Sequence, residues 1–129
     1  MFKASGSQMR IFKNKPFHRW AKEVRISDNQ LKEAINDIDS GLYEANLGGN
    51  VFKKRVGIDG RGKNSGARTI IAFKAGKNSF FIYGYAKNSR SNISEQEEVA
   101  LKKPAKLYFR FSDENIEQTL KSGELIEVK

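Results

Sequence analysis

The sequence predicts an α+β domain in which a small antiparallel sheet of three to four strands carries two N-terminal helices on one face and further helices at its C-terminal end. Three observations support this. Between Val51 and Asn92 lie three strand-like segments separated by turn-forming residues; before them stand two stretches with helical spacing; after them comes a third helical start. At 129 residues with no cysteine, the chain is long enough for one core and has no disulfide to hold it.

In chain order, residues 1–8 show no pattern and are expected to be a disordered or extraneous extension, leaving 9–129 as one domain. Met9 to Phe12 reads as a short strand. Pro16 suits a first helical turn, and Phe17, Trp20, Ala21 and Val24 recur at the spacing of a buried helix face. Ser27 with Gln30 forms a capping box ahead of Leu31, Ala34, Ile35 and Ile38, and Gly41 supplies a stop. Leu42 to Asn50 is read as a connector.

In Val51–Ile58, alternation sets Phe52, Val56 and Ile58 on one side and Lys53 and Arg55 on the other, with Lys54 charged on the apolar side. Arg68 to Lys74 and Ser79 to Lys87 are β-branched and aromatic, and Ala75-Gly76-Lys77-Asn78 joins them as a hairpin. In the last of these strands, Tyr83 and Tyr85 are expected to share a face with Phe81 and Lys87. Ser94 to Glu97 is another capping box, and Pro104 is expected to kink or end the helix that follows. Leu107, Phe109 and Phe111 fit either a continued helix or an extended stretch. Ser112 opens a last short helix closed by Gly123, and Leu125, Ile126 and Val128 form an apolar tail.

The chain holds 24 Lys plus Arg against 15 Asp plus Glu, a net charge of +9, with a pI near 9.8. That excess favours a nucleic-acid or ribosomal partner, with an anionic membrane surface or an acidic protein as the competing readings. No apolar run is long enough for a membrane span, and no secretory leader is visible, so a cytoplasmic location without a membrane partner is expected. Cations interleaved with aromatics on one sheet face suit single-stranded RNA: Lys54, Arg61, Lys63, Tyr83, Tyr85, Asn88 and Arg90 are the candidate RNA contacts. His18 is the only histidine, which leaves no metal site and no histidine-dependent nuclease, and no cofactor motif is present.

Asn46-Leu47-Gly48-Gly49, Ser65-Gly66-Ala67-Arg68, Phe80 through Asn88 (Phe-Phe-Ile-Tyr-Gly-Tyr-Ala-Lys-Asn) and Asn92-Ile93-Ser94 occur in that order. With them, the chain from Met9 to about Val128 resembles the RelE-like branch of the RelE/ParE superfamily of bacterial toxins. The resemblance implies the toxin of a type II toxin-antitoxin pair, silenced by a cognate antitoxin protein and acting as a metal-independent endoribonuclease on mRNA at the ribosome. It also implies catalytic roles for Lys53, Arg55, Arg68 and Lys87. Asn88 stands where relatives carry arginine, and the late tyrosine of some relatives has no counterpart near Ile93 or Ser94. In that chemistry the ribose 2′-oxygen attacks the neighbouring phosphate, Arg68 and Arg55 stabilise the phosphorane, and Lys53 or Lys87 accepts the proton, since clustered like charge favours a neutral lysine. Tyr83, Tyr85 or another cation assists the leaving oxygen or stacks on a base. Two alternatives remain: a gyrase-inhibiting toxin of the same fold, and an RNA-binding module that does not cleave.

Overall fold

The computed structural model describes residues 9–58, 66–90 and 92–129. Its elements in order are β1 (Ile11–Asn14), α1 (Lys15–Val24), α2 (Asp28–Asp39), β2 (Ala45–Gly48), β3 (Val51–Val56), β4 (Ala67–Ala72), β5 (Ser79–Ala86), α3 (Glu95–Phe109), α4 (Asp113–Ser122) and β6 (Leu125–Glu127). The strands form one six-stranded sheet in the order β2-β3-β4-β5-β1-β6. The sheet is thus larger than the three or four strands expected, and it is mixed.

Beyond the meander stand β1, read from the sequence as a short strand, and β2 and β6, which were not; these two arise where local pattern is weakest. β2 lies in the stretch read as a connector, and pairs with β3 through a turn in which Gly48, Gly49 and Asn50 all take positive φ (88°, 65° and 62°), a conformation two glycines supply without strain. β1 runs parallel to β5, with Phe12 beside Phe80, because α1, α2 and the meander carry the chain away before it returns. β6, the apolar tail, pairs antiparallel with β1, and Val128 N donates to Ile11 O at 2.8 Å.

The helices start where their side chains can satisfy free amides. Asn14 Oδ1 accepts from Phe17 N at 2.9 Å ahead of α1, whose second residue is Pro16, and reciprocal boxes open α2 (Ser27, Gln30), α3 (Ser94, Glu97) and α4 (Ser112, Asn115). Pro104 does not end α3, which continues through Phe109. One lost backbone bond is outweighed by the face α3 buries: Ala105 is fully buried, and Leu101, Tyr108 and Phe109 pack beside it. This resolves the 107–111 stretch as helix up to Phe109.

Two apolar layers sandwich the sheet. On one face α1 and α2 bring Phe17, Ala21, Leu31, Ile35 and Ile38 against Val56, Ile71 and Phe81. On the other, α3 and α4 cover Phe12, Val51, Ile70, Phe80 and Ile82. The expected open basic face is therefore partly roofed.

A bulge decides which aromatics go where. Pairing of β4 with β5 shifts between Ile70, opposite Tyr83, and Ile71, opposite Phe81. The extra residue is Ile82, and it breaks the alternation. Phe81 turns toward Phe17, with ring centroids 5.1 Å apart, while Tyr83 and Tyr85 fall with Phe80 and Ile82 on the α3 side. Tyr83 and Tyr85 therefore do not share a face with Phe81. Gly84 then faces α1, where a Cβ would overlap the Trp20 ring, so only glycine lets that indole lie on the sheet.

Candidate active site

β3 and β4 carry the cations, and their register brings them together. Arg55 pairs with Arg68 across the two strands, and Arg68 pairs in turn with Tyr85 of β5, so all three side chains emerge on the α3 side, as does Lys53. Two arginines directly opposite one another would repel. A carboxylate resolves this: Glu44, just before β2, donates its backbone amide to Lys53 O at 2.8 Å and is thereby fixed beside them.

Three cations converge on that carboxylate. Arg68 Nε lies 2.8 Å from Glu44 Oε1, off the hydrogen-bond direction; Arg55 Nε donates to Oε2 at 3.2 Å; Lys53 Nζ is 3.8 Å from Oε1. Arg68 is only 4% exposed. A guanidinium that deep needs a counter-ion, and Glu44 is the one beside it. Burial works against ionisation of Glu44, but the hydrogen bond from Arg55 and the charges of Arg68 and Lys53 prevail and hold its carboxyl below the usual glutamate range.

Polar atoms in this cluster are left unmet among the described residues: Glu44 Oε1, Arg68 Nη1 and Tyr85 Oη are buried without a hydrogen-bond partner. Burial, with the nearby Glu44 charge, pushes the Tyr85 phenol up.

A second layer frames the cluster. Lys53 Nζ donates to Asn92 Oδ1 at 3.1 Å, and Arg90 Nε donates to the Asn92 carbonyl at 2.9 Å. Arg90 forks onto Glu97 in the first turn of α3, one arm at 2.9 Å, and its Nη1 reaches Tyr83 Oη at 3.3 Å. Its guanidinium also sits 5.6 Å from the centre of the Tyr85 ring. The Arg90 hydrogen bond, then the Ser94 amide, bring Glu97 down to about 2. Arg90 is thus a strut between β5 and α3.

Of the residues read from the sequence, the structure gathers Lys53, Arg55, Arg68, Tyr83, Tyr85 and Arg90. Tyr85 is 3% exposed, so its ring is core and not a platform for a base. Lys54 is on the opposite face, where its Nζ meets Asp37 of α2 at 3.0 Å, so it does not join the cluster. Lys53 lies on the other face, with its Nζ 3.8 Å from Glu44 Oε1. Lys87 and Asn88 are exposed in the turn after β5, outside the ion-paired cluster. Arg61 and Lys63 lie outside the described residues.

Glu44 was not legible as part of a site. Its one signal is that it is the only acidic residue in the stretch from Leu42 to Asn50, whose local pattern is that of a connector. Among the described residues no group of three or more His, Asp or Glu side chains could hold a metal ion, and no helix is long and apolar enough to cross a membrane.

No curated protein matches the chain. A family model does, across residues 9–128, and its description is the RelE toxin of the RelE/RelB toxin-antitoxin system. That span covers every described element and the whole cation cluster, and it implies an antitoxin as partner. The chain belongs to the RelE family of toxins from toxin-antitoxin systems.

Proposed function

We propose that this toxin is a metal-independent endoribonuclease that cleaves mRNA at the ribosome, in the cytoplasm. The observation that carries the reading is the gathering of three cations at one point: Lys53, Arg55 and Arg68 converge on the carboxylate of Glu44, beside a buried donor, Arg68 Nη1, that has no acceptor among the described residues. A phosphodiester supplies that acceptor. As the 2′-oxygen attacks, charge builds on the equatorial oxygens of the phosphorane, and donors already held in place stabilise it without reorganising. Arg68 is held by Glu44 and by the strand below it, and Arg55 stands at the more open side. Lys53, anchored by Asn92, adds a third charge. Lys87, in the exposed turn, contacts the RNA backbone.

Primer extension on a defined mRNA, in a purified translation system with and without ribosomes, tests the proposal by comparing wild type with Arg68→Ala. New 5′ ends that need ribosomes and disappear in the variant are expected, with a loss of about 10²–10³-fold for one transition-state donor. Growth arrest on expression without any new ends would instead favour a toxin that inhibits gyrase or binds RNA without cutting it.

A further inference from the structure

The buried, unpartnered atoms around Arg68 are of opposite kinds. Among the described residues, Glu44 Oε1 is an acceptor without a hydrogen-bond donor, and Arg68 Nη1 is a donor without an acceptor. Their side chains touch, Arg68 Nε lying 2.8 Å from that same Oε1. A free phosphate would satisfy the arginine but be repelled by the carboxylate. A ribonucleotide satisfies both, because its 2′-hydroxyl donates to Glu44 while the adjacent phosphate oxygen accepts from Arg68. A deoxyribonucleotide leaves Glu44 unmet.

Resting on the endoribonuclease reading, we infer that Glu44 binds the 2′-hydroxyl of the nucleotide before the scissile phosphate and is the base that deprotonates it. The Glu44 carboxylate takes the 2′ proton, and the freed electron pair forms the 2′-oxygen to phosphorus bond. The bond from phosphorus to the 5′-oxygen breaks, its pair leaves on that oxygen, and the oxygen takes a proton from water. The products are a 2′,3′-cyclic phosphate and a 5′-hydroxyl, and Glu44 returns its proton to solvent.

The neighbours fit this role. Lys53 and Arg55 from β3, Arg68 from β4 and Tyr85 from β5 face Glu44, and the three cations keep it ionised below the ordinary glutamate range. Lys53 Nζ already donates to Asn92, and Lys87 is exposed and outside the cluster, so neither lysine is placed as well to take a proton.

The test is single-turnover cleavage of a defined mRNA on programmed ribosomes. Wild type is compared with Glu44→Gln across about pH 6 to 8, alongside binding of an RNA carrying one 2′-deoxy substitution at the cut site. Glu44→Gln is expected to lose about 10²-fold or more in rate while binding the 2′-deoxy RNA at least as well as wild type does. The wild-type rate is expected to be flat across that range, since the base is already ionised, whereas a lysine base would give a rise of about tenfold per pH unit. A Glu44→Gln rate within about threefold of wild type, or a wild-type rate that climbs in that way, would overturn the inference. Should the variant fail to fold, the wild-type profile decides alone. Cleavage absent from wild type itself would bring down the endoribonuclease reading, whereas full cleavage by Glu44→Gln brings down only the role of Glu44.

Discussion

Adjacent lysines on one strand meet two different fates. Lys54 points under α2, is 7% exposed, and meets Asp37 at 3.0 Å within an apolar layer. Lys53 points the other way, into a cluster where it, Arg55 and Arg68 converge on the carboxylate of Glu44. On the α2 face Lys54 meets Asp37 and Lys13 meets Asp28 at 3.2 Å, buried lysines on acids of α2, contacts that hold a helix on the sheet. On the α3 face three cations converge on Glu44, and the buried Arg68 Nη1 beside it has no acceptor among the described residues. The difference lies in covering, since α2 closes over Lys54 whereas α3 begins beside the other cluster.

The largest effect that would sharpen this contrast belongs to the closed face. Phe81→Ala, which removes a fully buried ring packed on Phe17, is expected to cost about 3–5 kcal/mol in chemical denaturation. Next comes the pair of neighbours. Lys53→Met should lower mRNA cleavage by about 10²-fold with little change in stability, while Lys54→Met should leave cleavage within about threefold of wild type. Equal losses in a side-by-side cleavage assay would break the distinction between the faces.

Gly84→Ala comes third. Its methyl would press into the Trp20 ring on the α1 face, and a loss of about 1–3 kcal/mol should register as a lower denaturation midpoint. Cleavage by the surviving folded protein should be near wild type, since Tyr83 and Tyr85 on either side face the other way.

The smallest effect concerns the strut beside the site. Glu97 is depressed in the folded chain to about 2, so its contribution is fully present above its unfolded value near 4.5 and is lost as pH falls from there through about 2. Arg90→Gln should move the Glu97 midpoint back toward 4.5, as read by NMR titration of the side-chain carboxyl. An unmoved midpoint would mean that the Ser94 amide, and not Arg90, sets it.

How much of this was legible follows from the range of each cause. The capping boxes and the split of Lys53 and Arg55 from Lys54 depend on residues one to four apart, and both appear in the structure as read. The bulge at Ile82 was not legible, because β-branched and aromatic residues fill β5 on both faces and no polar position marks the slip. Nor was the length of α3, where a proline's local cost competes with burial against a sheet more than twenty residues upstream.

By itself, the sequence determined where the helices start, the three-stranded centre of the sheet, the face on which Lys53, Arg55 and Arg68 emerge, and the family, because these rest on local periodicity and on motifs. Only the tertiary structure decided that β1 returns parallel to β5, that Tyr85 is core, and that Glu44 is held among the cations. These depend on the register in which distant segments meet, and a one-residue shift there moves a side chain from one face to the other.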